Sequence, residues 1–160
     1  MQPTVSGISV HMGVDMPLTD EFAAGHIAYC GNRRAFDREV PLPAGRGNRE
    51  VKVPSVLGIN CSTVLDPQLA PEGHHVVDII YVPAPYGNSR SWGLLGKDEY
   101  GVLKERAGDA LVKVAEELTP GLSQHVVVRD VSTPLTYERY TNATDGCFNS
   151  PPLRGNIAFD

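Results

Sequence analysis

One amphipathic stripe constrains this chain more than any other feature. Between Lys97 and Leu118 the apolar residues Leu103, Ala107, Ala110, Leu111, Val114, Ala115 and Leu118 recur at helical spacing, which gathers them on one face of a helix. Asp98 and Glu99 stand where the positive end of the helix favours anions, and Pro120-Gly121 ends the run. A helix with one apolar face must bury it against another layer.

The material for that layer flanks the helix in the chain. Ile8, Val10, Met12 and Val14 alternate with Ser9, His11, Gly13 and Asp15, the period-2 pattern of a strand with one buried and one more polar face, stopped by Pro17. His26 to Cys30, Val51 to Val53 and Gly58 to Val64 read as shorter strand pieces, the last two interrupted at Pro54. His75 to Val82 is the most apolar strand, and apolar residues on both of its faces predict a central strand covered on both sides. Asp78 within it needs a partner or an open edge. Val126 to Val131 supplies a last strand after the helix. Residues 31–50, rich in Gly, Pro and Asn, read as a long irregular loop, residues 66–73 as a turn-rich connector, and the tail from Ser150 as irregular. Strands, then a helix, then a strand predict an α+β fold: a mostly antiparallel sheet with one long packed helix, in a single domain over residues 1–160.

Composition narrows the partners. A net charge of −5 with 14 basic residues that do not cluster beyond Arg33-Arg34 argues against nucleic acid. No apolar run approaches the ~20 residues that span a bilayer, and the N-terminus lacks the basic-then-apolar pattern of a secretory leader. Cys30, Cys61 and Cys147 are too few and too far apart for a disulfide framework or a zinc site. The expected setting is a reducing, cytoplasmic one.

Self-sufficient chemistry is hard to find in the sequence. There is no GxGxxG and no P-loop, so no dinucleotide or nucleotide fingerprint. Gly7-Ile-Ser-Val-His11 lacks the second glycine of a nucleophile elbow and lies inside an alternating strand, which reads Ser9 as part of a polar strand face. His74 and His75 are adjacent and point to opposite faces of a strand, so they do not share a metal. His11, His26 and His125 have no spacing that groups them with carboxylates. Asp98-Glu99 and Glu116-Glu117 read as the solvated face of the helix. No catalytic residue and no metal ligand is assigned. Aromatic side chains offer flat apolar walls with polar tips: Tyr86 and Trp92 flank a Gly-Asn-Ser-Arg-Ser loop, and Tyr137, Tyr140 and Phe148 surround a distinctive stretch, Thr133-Pro-Leu-Thr-Tyr-Glu-Arg-Tyr-Thr-Asn-Ala-Thr-Asp-Gly146.

That stretch resembles the TPLTxERYTxNxxG signature of the carotenoid-isomerase and retinol-saturase branch of the phytoene-desaturase family of FAD-dependent oxidoreductases. Three further blocks match in order. Val10-His-Met-Gly-Val-Asp15 resembles the family's xxLGxD strand. Asp66-Pro-Gln-Leu-Ala-Pro-Glu-Gly73 with His75-Val-Val resembles DPxLAPxGxHxV. Val82-Pro-Ala-Pro-Tyr86, Trp92 and Lys104-Glu105 resemble VPAPY…W…KE, with Pro120-Gly121 following. The resemblance covers about residues 8–146 and departs from the family after the signature, where Gly146-Cys-Phe-Asn-Ser150 replaces Gly-x-x-Tyr-Gly.

The resemblance implies the later part of a substrate-binding domain, without the FAD-binding Rossmann domain. It implies an apolar polyene- or isoprenoid-like substrate, contacted by Arg139, Tyr140, Thr141, Tyr137, Tyr86 and Trp92. Residues 133–141 would be a strand and turn facing the flavin, with Arg139 orienting a polar group or pairing with Glu138 or Asp145. FAD would be held by the parent protein or a partner and not by this chain, which alone would be inert in redox chemistry. Three arrangements satisfy this: a piece of a larger flavoprotein, which the family's missing ends imply; a stand-alone binding module or subunit complementing a separate flavoprotein; or a small cofactor-free cyclase or isomerase. A peripheral membrane association of the parent and a homo-oligomer are both compatible with it.

Overall fold

The computed structural model describes residues 6–17, 26–29, 56–82 and 89–147. Their strands are β1 (Ile8–Val14), β2 (His26–Tyr29), β3 (Val56–Cys61), β4 (His75–Val82) and β5 (Val126–Ser132). They form one sheet in the order β2-β3-β4-β1-β5 with every pairing antiparallel. Among the described residues three α-helices accompany it: α1 (Ser89–Gly93), α2 (Lys97–Leu118) and α3 (Pro134–Thr141). The α+β class expected from the pattern is the one observed.

The alternation in β1 decides the layering. Ile8, Val10, Met12 and Val14 are buried, and their face joins Leu57, Ile59, Val77, Ile79 and Val131 in the core. The stripe of α2 covers that face through Leu103, Ala107, Leu111 and Ala115. Helix and sheet come close at Gly108, where an added Cβ would lie 2.6 Å from Val131 Cγ2. Arg129 ties the two elements at their margin, its guanidinium donating to Asp109 at 2.6 Å and to Glu105 at 2.7 Å.

β4 is central, but it is not covered equally on both sides. Val77 and Ile79 are buried, whereas Val76, Asp78 and Ile80 on the opposite face are only half-buried. The run of apolar residues over-predicts cover because Val and Ile also suit a face that is partly open. The sheet therefore has one core face and one open face, and Ser9, His11 and Gly13 lie on the open one by alternation.

Four local readings are corrected. β3 ends at Cys61, and Ser62–Val64 form a 3-10 turn rather than more strand. Ser89, Arg90 and Ser91 of the Gly-Asn-Ser-Arg-Ser stretch are helical, not loop, as part of Ser89–Gly93. Residues 133–141, expected as strand and turn, form a capped helix. Thr133 is its N-cap, with its hydroxyl accepting from the Thr136 N–H while the Thr136 hydroxyl accepts from the Thr133 N–H. Pro134 sits in the first turn, where its missing N–H costs nothing, and Asn142 ends the helix at φ 54°. Glu116 is not merely solvated. Its carboxylate accepts from the N–H of Gly121 at 2.6 Å and of Ser123 at 2.7 Å, clamping the turn after α2. Those donors, Ser123 foremost, hold it below the usual carboxylate range. Within the turn-rich connector, Asp66 caps a turn, accepting from the Gln68 N–H at 3.0 Å. The expectations for residues 31–50, for 51–55, for Cys30, Tyr86 and Phe148 and for the tail lie outside the described residues; Cys61 and Cys147 are free thiols.

Candidate functional site

The antiparallel register brings together polar groups that are far apart in the chain. His11 on β1 faces Asp78 on β4 and Asp130 on β5, and Asp78 in turn faces Asn60 on β3. A polar row thus crosses four strands of the open face. Within it His11 Nδ1 lies 2.6 Å from Asp78 Oδ1. This is the partner that Asp78 required, and it corrects the reading that His11 groups with no carboxylate. His125 is a second case, with Nδ1 2.9 Å from Asp15 Oδ1. The His11 side chain is 48% exposed and that of Asp78 24%. The Asp78 hydrogen bond raises the His11 pKa above its ordinary value against the opposing effect of burial, and the charges of Asp78 and Asp130 add to the rise.

The pair extends toward α3. His11 Nε2 lies 2.9 Å from Ser9 Oγ, and Ser9 Oγ lies 2.6 Å from the Tyr137 hydroxyl. Tyr137 is half-buried, and desolvation pushes its phenol pKa up. Asp78, His11 and Ser9 stand in the order of a hydrolytic triad. Ser9, however, is 1% exposed, and its outer side is taken by Tyr137. A substrate carbonyl has no approach to this oxygen, so the arrangement is a relay rather than a nucleophile.

Beside His11 the open face carries a cleft of about 590 Å³, within the range of small-molecule sites. Its walls are Val76, Val127, Val128, Leu69, Ala70 and Pro71, and its polar groups are His11, Asp130, His74 and His75. Two features of β1 and β5 shape it. Gly13 lets Val128 pack down onto β1, since a Cβ there would meet Val128 Cγ1 at 2.8 Å. The register steps between Gly13 and Val14, making Val127 an extra residue in β5; such a bulge re-aims neighbouring side chains. Val127 and Val128 are 60% and 64% exposed, unusual for valines in a strand. His74 and His75 do not act together: His75 Nδ1 lies 3.0 Å from the Thr63 hydroxyl, and His74 Nδ1 lies 3.1 Å from the Glu72 carbonyl. Among the described residues no cluster suited to a metal is found.

Of the aromatic residues singled out from the sequence, the described ones, Trp92, Tyr137 and Tyr140, do not form one wall. Trp92 is 1% exposed in the core, edge-on to Tyr100 with ring centroids 6.0 Å apart. Tyr140 is 77% exposed, with the Arg139 guanidinium 5.5 Å from its ring centre. Asp145 pairs with Arg90 at 2.6 Å, and among the described residues Arg139 forms no ion pair with it or with Glu138. Thr141 is exposed, its hydroxyl donating to the Tyr137 carbonyl at 2.7 Å. Of the five described candidates only Tyr137 reaches the open face, through Ser9. The cleft itself was missed, because its walls are ordinary valines, leucine and proline whose convergence depends on register.

No protein-family model matches the chain. Prolycopene isomerase 2 of an Oncidium hybrid cultivar is 34% identical over 97 residues, 60% of this chain and 16% of that protein. Over this stretch the chain is similar to the prolycopene isomerases. The carrot enzyme of that name is 31% identical over 106 residues, 66% of this chain and 16% of its own length. A mouse protein, pyridine nucleotide-disulfide oxidoreductase domain-containing protein 2, is 30% identical over 105 residues, 64% of this chain and 16% of its own. The resemblance read from the motifs to the carotenoid-isomerase branch is borne out. The chain spans 16% of the length of these relatives. The plant proteins are named chloroplastic. No described helix of this chain is long and apolar enough to cross a membrane.

The flavin implied by the resemblance can be tested against the fold. A dinucleotide pyrophosphate is gripped by a glycine-rich turn between a strand and a helix of a parallel βαβ unit. The described pairings are all antiparallel, and α2 follows α1 rather than a strand. The described residues do not fit that group, and no step is assigned to a flavin held by them.

Proposed function

We propose that this chain is the substrate-facing segment of an FAD-dependent oxidoreductase acting on an apolar, polyene- or isoprenoid-like substrate. The flavin belongs to another part, joined in cis or in trans, and this segment supplies walls and orientation. The observation that carries the reading is the cleft on the open sheet face: about 590 Å³ between Val76, Val128, Leu69 and Pro71, with His11 and Asp130 among its few polar groups. Apolar walls with few polar groups suit a long hydrocarbon whose orientation is fixed at one end. The similarity to prolycopene isomerases, proteins named for a carotenoid, supports the same substrate class. By itself the segment performs no redox chemistry.

Titration of the purified chain with a C20 polyene, followed by induced circular dichroism of the polyene, tests this. Saturable binding is expected, and Val128→Glu, which puts a charge into an apolar wall, should weaken it at least about tenfold. Equal binding by Val128→Glu and the parent sequence would remove the cleft from the account. A stoichiometric flavin spectrum on the purified chain would overturn the assignment of the flavin to another part.

A further inference from the structure

The relay through Ser9 carries information that a single hydrogen bond would not. Its atoms run Asp78 Oδ1, His11 Nδ1 and Nε2, Ser9 Oγ, Tyr137 hydroxyl, with separations of 2.6, 2.9 and 2.6 Å. It joins three elements, β4, β1 and α3. We propose that this chain of groups is a proton-coupled relay, in which protonation of His11 at the rim of the cleft reverses the direction of the hydrogen bonds as far as Tyr137 on α3.

The reversal follows from what each group can donate. In neutral His11 the Nδ1–H donates to Asp78, and Nε2 accepts the Ser9 O–H. Ser9 Oγ is then free to accept the O–H of Tyr137. When His11 gains a proton, Nε2–H becomes the donor and Ser9 Oγ the acceptor. The Ser9 proton must turn elsewhere, and a hydroxyl this deeply buried needs an acceptor. Its other neighbour is the Tyr137 oxygen. Tyr137 therefore changes from donor to acceptor toward Ser9, and its own proton redirects. No covalent bond changes; one proton enters at His11 and two O–H groups reorient.

The groups around His11 set when this happens. Asp78 from β4 and Asp130 from β5 both favour the imidazolium, while Lys104 of α2 lies 3.4 Å from Asp130 and offsets part of its charge. His74 and His75 border the same cleft, and Tyr137 approaches from α3. The rim of the cleft is thereby coupled to the helix that bears the signature residues Arg139, Tyr140 and Thr141. The inference concerns the relay alone and stands whether or not the cleft binds a polyene.

NMR titration of the whole chain tests it, following the His11 ring and the Tyr137 ring carbon bonded to oxygen. The Tyr137 signal should move with the same midpoint as His11, above the ordinary histidine value of about 6.5. Asp78→Asn should lower both midpoints together. Ser9→Ala should abolish the Tyr137 response while His11 still titrates with its midpoint raised. A Tyr137 signal silent through the His11 titration overturns the relay, as do midpoints that separate in Asp78→Asn or a Tyr137 response of full size in Ser9→Ala. The wild-type comparison decides even where a substituted chain does not fold.

Discussion

Gly146, which closes the 133–146 signature, has two reasons to be glycine, and replacing it should separate them. It sits at φ 63°, and a Cβ there would lie 2.1 Å from the Pro134 carbonyl oxygen and 2.7 Å from its carbon. A left-handed conformation costs a residue with a side chain about 1 kcal/mol. The collision is with backbone at the start of α3, so no rotamer relieves it, and overpacking of this kind adds about 1–3 kcal/mol. Gly146→Ala should therefore destabilise the chain by about 2–4 kcal/mol, or lower Tm by roughly 5–15 °C for a domain of this size. Gly73 supplies the internal control: it has φ 75°, and a Cβ there meets nothing within 4 Å. Gly73→Ala should cost only the conformational part, about 1 kcal/mol. Urea unfolding of the two variants at equal m-value measures the difference. Should Gly146→Ala cost no more than Gly73→Ala, the close approach between residues 134 and 146 would be absent and the packing described for α3 wrong.

Three further outcomes are expected. Trp92→Ala should cost about 3–5 kcal/mol as a buried aromatic, whereas Arg139→Ala should stay within about 0.5 kcal/mol; urea unfolding of both distinguishes core from surface roles. Glu116→Ala should cost about 1 kcal/mol through loss of the clamp on the Gly121 and Ser123 N–H groups, discounted for exposure. Because that carboxylate is held below its ordinary pKa, its contribution is present at neutral pH and is lost as pH falls through the lowered value, so wild type and Glu116→Ala should converge in acid. His11 has the opposite sign. Its raised pKa gives stability that is full below its unfolded value of about 6.5 and is lost as pH rises through the raised folded one, so wild type should lose stability relative to His11→Gln as pH rises above about 6.5.

The strands and the long helix were legible because each is written as a local period: alternation from Ile8 to Val14, and a stripe from Leu103 to Leu118 that lies on the sheet as expected. The short helices were not. Ser89–Gly93 is too short to show a period, and residues 133–141 were expected as strand and turn from the resemblance alone, without regard to the Thr133 and Thr136 hydroxyls that cap the helix. The site was legible only in pieces. Asp78 announced that it needed a partner, and His11 stood on the polar face of the other alternating strand; pairing those strands antiparallel would have suggested the contact. Which aromatic residues face a ligand is a tertiary property. Trp92 lies in the core, and Tyr140 projects to solvent, although both carry the same flat apolar surface. The cleft wall depends on Val128 packing over Gly13 and on a register step beside Val127, neither of which a local sequence pattern records.

The most direct test of the central claim is to map a bound polyene onto the chain by backbone and methyl NMR shifts. The account predicts that the perturbations gather on Val76, Val128, Leu69 and His11, on the open face of the sheet. Perturbations confined to Arg139, Tyr140 and Thr141, or none at saturating ligand, would contradict it.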